Sequence, residues 1–114
     1  MNKEKILQKS EDFSNIISTG QKLKNKYFSL YYKESEKNHY GITVPKKVGH
    51  AVVRNKLKRQ IKNIISQNEK TIQSYYNYVI IVKETSLTLD YEGLKIHLYE
   101  LMKKVGKQWR KRNW

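Results

Sequence analysis

The stretch KKVGHAVVRNKLKRQIKNII, residues 46–65, combines a helical pattern with charge of a single sign. Its apolar residues recur every three or four positions, which predicts an amphipathic helix over residues 53–67 with one face in a core. Every charged residue in the stretch is basic, so the outer face of this helix is uniformly positive. The predicted core face consists of Val53, Leu57, Ile61, Ile64 and Ile65.

An uncompensated basic row runs beside that apolar face. Like charges four residues apart destabilise a helix, and the 32 positions from 37 to 68 contain no Asp or Glu to offset them. A phosphate backbone supplies the missing negative charge, because each Lys or Arg contact releases counterions. The sequence therefore predicts a nucleic-acid contact. The row is Arg54, Lys58 and Lys62, with Asn55 and Arg59 beside it.

The overall composition agrees with a basic globular protein. The chain has 114 residues, of which 38% are hydrophobic and 30% charged, a balance typical of a folded domain. We expect residues 1–114 to form one domain, since no repeat or linker interrupts them. The 24 Lys and Arg against 10 Asp and Glu give a net charge of +14, which attracts polyanions. Nucleic acid is the favoured partner class, and an anionic membrane surface is the alternative.

Several function classes are excluded by residue type. The chain has no cysteine, so disulfides and thiolate chemistry are not available to it. No Ser/His/Asp set or carboxylate pair indicates a protein-based active site. The N-terminus lacks the apolar segment of a signal peptide, and the longest apolar run, residues 78–82, is too short to cross a bilayer. We therefore expect a cytoplasmic protein with no membrane segment.

Alternation and helical periodicity predict the other elements. Ser10 is the expected N-cap of the first helix and Asp90 that of the last. The two aromatic-rich strands are separated by a polar turn and are predicted to form a hairpin, whereas the strand around Val79 and Ile80 is apolar on both faces and predicted to be interior. The predicted helices cover 10–20 and 89–106, and the predicted strands cover 25–33, 39–46 and 74–84.

These elements predict a mixed α/β (α+β) sandwich. Their order is α-β-β-α-β-α, with a possible further strand, and helices pack on a sheet of three or four strands. In the strand at 25–33, alternation separates two sets of side chains. One face carries Tyr27, Ser29 and Tyr31, and the other carries Phe28, Leu30 and Tyr32.

The order of motifs around the basic helix resembles the signature of the bacterial ribonuclease P protein subunit. The run GITVPKKVGHAVVRNKLKR, residues 41–59, has a glycine strand, a Lys-Lys and Gly bend, Ala-Val and an Arg-Asn-basic triplet in the family's order. Residues 11–13, 25–32 and 78–84, which read EDF, NKYFSLYY and YVIIVKE, also match family segments. The resemblance covers nearly the whole chain.

This resemblance implies a small basic partner of a catalytic RNA. In the family, the RNA subunit cleaves precursor tRNA to make the mature 5′ end, using Mg²⁺ bound mainly by the RNA. The protein supplies no catalytic side chain; one protein binds each RNA subunit and grips the single-stranded 5′ leader of the substrate. The implied fold is a four-stranded sheet with helices on it and a left-handed parallel crossover, a handedness that patterning does not predict.

The resemblance also assigns two surfaces by position. Single-stranded RNA is usually held by aromatic stacking within a basic groove, which suits the second of them. Phe13 has a second interpretation as a core residue, because it shares a helical face with Ile16 and Ile17. The RNA-subunit surface comprises Arg54, Asn55, Lys56, Lys58, Arg59 and Lys62. The leader-binding surface comprises Phe13, Tyr31, Thr43 and Lys47.

The chain departs from the family pattern at a few positions. Lys56 replaces the usual second Arg of the triplet, which keeps the charge but loses the bidentate fork of a guanidinium. Ile17 lies where relatives often have a second aromatic residue, so stacking near the first helix is expected to be weaker. Pro45 and His50 also differ from common family residues, which leaves the leader contacts less defined.

Three other functions compete with this interpretation. A generic binder of ribosomal or other structured RNA would show the same charge. A DNA-binding regulator would use 53–67 as a recognition helix, but it needs a partner helix upstream, where residues 39–46 read as a strand. A membrane-surface protein needs exposed apolar side chains beside the basic row, whereas this apolar face is needed to cover the sheet.

Overall fold

The computed structural model describes residues 6–7, 10–36, 38–68, 72 and 75–105. These residues form helices and strands in the order α-β-β-β-α-β-α, with two short 3-10 turns at Lys46–Val48 and Glu84–Thr88. The helices are α1 (Ser10–Thr19), α2 (Ala51–Gln67) and α3 (Tyr91–Met102). The strands are β1 (Gln21–Lys24), β2 (Phe28–Glu34), β3 (His39–Thr43) and β4 (Tyr76–Val82).

The last strand in sequence, β4, lies inside the sheet. The strand order is β1-β2-β4-β3, and β4 pairs antiparallel with β2 and parallel with β3. The expectation of an interior strand is confirmed, since Tyr78, Val79, Ile80 and Val82 are all 0% exposed. The predicted hairpin between β2 and β3 is wrong, because β4 inserts between them. A strand that is apolar on both faces is most stable with a paired neighbour on each side, and β2 and β3 are those neighbours.

The hairpin partner of β2 is β1, the further strand that patterning left open. The two strands pair antiparallel from Gln21 opposite Tyr32 to Lys24 opposite Ser29. Asn25 closes the connecting turn, where its Oδ1 accepts hydrogen bonds from the backbone N–H groups of residues 27 and 28, both at 2.9 Å. A side chain that satisfies backbone donors in this way is a common reason for Asn in turns. Because β1 has only four residues, alternation in the sequence is too short to identify it as a strand.

Two apolar clusters cover the two faces of the sheet. Helices α2 and α3 cover one face, where Phe28, Leu30 and Tyr32 of β2 are buried as the alternation predicts. On the other face, α1 contributes Ile16 to a smaller cluster with Val79, against which Phe13, Tyr31 and Ile81 pack partly buried. We call this second surface the α1 face. Burial on both faces explains why β4 has no polar alternation.

Most of the predicted core face of α2 is buried. Leu57, Ile61, Ile64 and Ile65 are between 0% and 6% exposed. Val53 is the exception at 37%, since it lies in the first turn and contacts the bare backbone of Gly49. The sheet therefore holds α2 along its second to fourth turns.

Of the two predicted N-caps, the one at Asp90 is correct and the one at Ser10 is wrong. Asp90 precedes α3 and its Oδ1 accepts a hydrogen bond from the Gly93 N–H at 2.8 Å, which confirms it as the N-cap. Ser10 is already part of α1, so its prediction as N-cap is wrong. Glu11 and Asp12 still lie in the first turn, where negative charge favours the positive end of the helix dipole.

Helix α2 is the crossover between the parallel strands β3 and β4. The chain leaves β3, passes through the Lys46–Val48 turn and enters α2 on the face that α3 also covers. Parallel neighbours require such a crossover. The left-handed sense implied by the family resemblance stays a prediction.

A close backbone approach at Gly20 yields a test of this packing. A Cβ atom there would lie 2.5 Å from the carbonyl oxygen of Ile16 and 2.6 Å from that of Tyr32. Because both atoms belong to the backbone, no rotamer change relieves the clash. We expect Gly20→Ala to lower the free energy of unfolding by about 1–3 kcal/mol, measured by thermal or urea unfolding.

Gly93→Ala is the matched control. A Cβ there would meet the Leu89 side chain at 3.0 Å and Asp90 Oδ1 at 3.2 Å. Side chains can shift, and Ala is favoured over Gly in a helix by about 1 kcal/mol. Equal destabilisation by the two substitutions would contradict the packing assigned to Gly20.

Candidate RNA interface

The outer side of α2 carries the predicted basic row. Arg54, Lys58 and Lys62 lie beside the buried stripe and are partly exposed, whereas Asn55, Lys56 and Arg59 are exposed. Within the described part of the chain, none of these side chains has a carboxylate at ion-pair distance. The helix therefore presents positive charge with no internal compensation.

Arg54 shows this most clearly. Its Nε atom is buried and has no hydrogen-bond acceptor among the described residues. A buried donor without an acceptor is uncommon, because a missing hydrogen bond at a buried donor costs about 1–3 kcal/mol. Within the described ranges, Nε therefore does not fix the guanidinium of Arg54 by a hydrogen bond.

The α1 face presents three rows of side chains across the sheet. In the first row, Lys24, Ser29, Ile81 and Thr43 are neighbours on β1, β2, β4 and β3. All four are exposed or partly exposed, so we call this row the open strip. In the third row, the ammonium of Lys33 donates to Asn15 Oδ1 at 3.1 Å and to Thr19 Oγ1 at 2.9 Å. These bonds hold α1 over that row and leave the open strip uncovered.

The middle row consists of Lys22, Tyr31, Val79 and Gly41 on the same four strands. Tyr31 of this row and Phe13 of α1 lie beside the open strip. The ring of Phe13 lies against Gly41 of β3 so closely that a Cβ atom on Gly41 would be 2.6 Å from two ring carbons. Tyr31 lies on β2, two strands away from Gly41 and separated from it by the buried Val79. Both rings are partly exposed and belong to the same cluster. The surface that these rings share with Ile81 is apolar and partly exposed, and we call it the cleft.

Thr43 and Lys47 connect this cleft to α2. Thr43 is the last residue of β3 and lies in the open strip, and the exposed Lys47 follows in the 3-10 turn Lys46–Val48. That turn leads directly to Gly49, His50 and the first residue of α2. The cleft and the basic helix thus lie on opposite faces of the sheet but meet at the end of β3.

The histidines and acidic residues of the described chain form no metal centre. No group of three or more His, Asp or Glu in that part is arranged to hold a metal ion. His39 Nδ1 lies 2.9 Å from Asn77 Oδ1, and His97 pairs with Glu100 at 3.2 Å. No helix within the described ranges is long and apolar enough to span a membrane.

Comparison with known proteins identifies the family. A sequence profile described as Ribonuclease P matches residues 1–106. The chain belongs to the ribonuclease P protein family. The ribonuclease P protein component of Mycoplasma capricolum is 38% identical over 108 residues, which cover 92% of this chain and 99% of that relative.

Solved structures of ribonuclease P proteins share the fold. The Thermotoga maritima protein superposes with a TM-score of 0.82 at 28% identity, covering 87% of this chain and 96% of that one. The Staphylococcus aureus protein gives a TM-score of 0.83 at 25% identity, covering 90% and 95% of the two chains. The mixed fold implied by the family resemblance, with a four-stranded sheet and three helices, is confirmed. As a ribonuclease P protein, the chain is a subunit of the enzyme that matures the 5′ ends of tRNA, and its partner is ribonuclease P RNA.

The structure adds residues to the interface that sequence patterning missed. Lys24, Ser29 and Ile81 complete the open strip. Gly41 has no side chain, which leaves room for the ring of Phe13 against the strand. Their positions depend on strand order, which local alternation does not reveal. The core interpretation of Phe13 is confirmed in part, since its ring packs in a cluster and is still partly exposed; its role in leader binding stays a prediction.

The repulsion along α2 leads to a stability test. Lys58 lies four residues from both Arg54 and Lys62 on the helix. Lys58→Glu turns two repulsive pairs into attractive ones, so we expect the isolated ribonuclease P protein to gain about 0.5–1 kcal/mol at low salt. Thermal unfolding at low and high salt measures the gain, which should shrink as salt screens the charges.

Lys58→Ala is the control and should give an intermediate gain, because it removes repulsion without adding attraction. Loss of stability in Lys58→Glu at low salt would show that the row is compensated within the protein.

Proposed function

We propose that this ribonuclease P protein uses two separate surfaces for two RNAs. The outer side of α2 binds the RNA subunit, and the α1 face holds the single-stranded 5′ leader of precursor tRNA. One protein binds each RNA subunit, in the cytoplasm where bacterial transcripts are made. The observation that carries the proposal is the junction at the Lys46–Val48 turn, where an uncompensated basic helix and an aromatic cleft meet.

The residues of α2 suit the docking of a folded RNA. Arg54 and Arg59 offer planar guanidinium groups that bind phosphate in a bidentate manner, and Lys56, Lys58 and Lys62 add point charges. Asn55 is exposed between them and can donate or accept hydrogen bonds. Because this helix is held by four buried residues, its charges are presented on a rigid support.

The cleft suits an unpaired strand. Phe13 and Tyr31 offer ring faces for bases, and each stacked base is typically worth about 1–3 kcal/mol. Thr43 offers a hydroxyl at the end of the open strip, and Lys47 offers an ammonium for the backbone phosphates. An A-form duplex is wider than a single strand, and proteins usually contact it through its shallow minor groove rather than by stacking on its bases.

Catalysis belongs to the RNA subunit in this proposal. Its phosphates and bases supply hard oxygen ligands of the kind that Mg²⁺ prefers, and the metal assists hydrolysis of the phosphodiester bond at the 5′ end of the tRNA. The protein neutralises charge and fixes the leader. It thereby lowers the Mg²⁺ concentration needed for substrate binding.

Generic binding of structured RNA is the competing function. The charge of α2 suits either function, but a cleft with partly exposed aromatic rings is needed only for an unpaired segment. A membrane-surface role is disfavoured, since four of the apolar residues of α2 are buried and its first turn exposes only Val52 and part of Val53.

Reconstitution tests the proposed function. The purified protein, added to bacterial ribonuclease P RNA at low Mg²⁺, should stimulate cleavage of precursor tRNA with a leader of about five or more nucleotides. The rate of 5′ cleavage is measured with and without protein over a range of Mg²⁺. Absence of stimulation at every Mg²⁺ concentration would refute the function, and an unrelated protein of similar charge is the control.

A pair of substitutions separates the two surfaces. Arg59→Ala should weaken affinity for the RNA subunit and reduce the steepness of its salt dependence, because it removes a phosphate contact. Tyr31→Ala should leave that affinity intact and lower substrate affinity roughly 5- to 150-fold, through loss of a stacked base, only when a leader is present. Filter binding with leader-containing and leaderless substrates measures both. An equal effect of Tyr31→Ala on the two substrates would contradict the cleft assignment.

A further inference from the structure

A basic edge on β1 lies on the α1 face, beyond the residues that the family resemblance assigns to leader binding. Lys22 and Lys24 are exposed on the α1 face, next to Tyr31 and Ser29 of β2. In the described ranges neither ammonium has a carboxylate partner, and residues 13–33 contain no Asp or Glu. We call these two lysines the β1 edge. Its charge is as uncompensated as that of α2.

The β1 edge is continuous with the cleft. Lys24 is the last member of the open strip, beyond Ser29, and Lys22 continues the middle row beyond Tyr31. From β3 to β1 there are three strand spacings of about 4.8 Å, so the surface extends about 14 Å across the sheet. No acidic side chain belongs to the three rows of the α1 face. The strand surface therefore opposes a polyanion with no like charge, and among the described residues the acidic ones on this side are Glu11 and Asp12 in the first turn of α1.

Lys22 and Tyr31 form a mixed aromatic and cationic pair. The Nζ atom of Lys22 lies 5.3 Å from the centroid of the Tyr31 ring, within the range of a cation–π contact. A base stacked on this ring brings its own backbone phosphate close to the same ammonium. Alternation of aromatic rings and cations is the usual chemistry of single-strand binding.

We propose that the β1 edge is the distal end of the leader path and binds phosphates of leader nucleotides beyond those stacked on Phe13 and Tyr31. This inference rests on the proposed function of the cleft. The direction follows from the sheet order, because α2 and its docked RNA subunit join the sheet at the end of β3. A leader that leaves the cleavage site on that side reaches β3 first and β1 last.

The test uses the reconstituted holoenzyme and precursor tRNAs whose leaders increase from about two to about ten nucleotides. Substrate affinity is measured under conditions that prevent cleavage, for the natural protein and for the double variant Lys22→Ala/Lys24→Ala. We expect unchanged affinity with the shortest leaders and a roughly 3- to 10-fold loss with the longest. With the longest leader, the slope of log affinity against log salt should fall by about 1.4, since each phosphate contact on a single strand contributes about 0.7.

A charge-matched control is available on α3. Lys95→Ala/Lys103→Ala removes the same charge from α3 and its C-cap on the opposite face of the sheet, and its effect should not depend on leader length. Thermal unfolding of both double variants checks that the fold is intact. The inference is overturned if the β1 variant loses affinity equally at every leader length, loses no more than the α3 variant, or loses none.

Tyr31→Ala, run on the same substrates, separates this inference from the proposed function. If Tyr31→Ala lowers leader-dependent affinity and the β1 variant does not, the path ends at the cleft and only the distal site is refuted. If neither variant shows a leader-dependent loss, both the inference and the cleft assignment fail.

Discussion

The pairing of β4 with strands on both sides is the constraint on which the rest of the fold depends. β4 is the last strand to be synthesised, yet it lies between β2 and β3, and its Val79 and Ile80 are fully buried on opposite faces. Burial of both faces requires one helical layer on each side, which α1 supplies on one face and α2 with α3 on the other. Parallel pairing with β3 also requires a crossover, and α2 is that crossover. The basic helix is therefore where it is because β4 has to reach the middle of the sheet.

Separation of the two layers gives one small chain two different surfaces. Leu57 and Ile61 face the larger core, while the charges of α2 face outward. On the far side of the sheet, α1 covers only part of the surface, because Ile16 packs on Val79 of the middle row and Lys33 bonds α1 to the row beyond it. The cleft exists because α1, the only helix on this face among the described residues, leaves the open strip uncovered. Charge on both surfaces is left uncompensated at a cost in stability, and a polyanionic partner offsets that cost.

The sequence predicted most elements, and the structure shows where local patterns stop being informative. Alternation in β2 correctly separated Tyr31 from Leu30, and the 3.6-residue period of α2 identified four of its five core residues. Strand order was not predictable, since alternation reports which face a residue occupies and not which strand lies beside it. For the same reason, Ile81 was missed as the neighbour of Thr43, and Ser29 as the next residue along the same row. The site residues named by family resemblance fall on two coherent surfaces, whereas Gly41 and Lys33, which shape the cleft, act through contacts that only the fold creates.

The two edges of the sheet are protected in different ways. At β3, the backbone of the N-terminal segment pairs with Tyr40 through Ile6, and the Leu7 N–H donates to the Tyr40 carbonyl at 2.9 Å. At β1, the described residues place no further strand, and lysines alternate along it. Charged edge strands resist the addition of a strand from another molecule, which is a common route to aggregation. The lysines that we propose to bind leader phosphates are thus also placed to resist edge-to-edge pairing of two subunits.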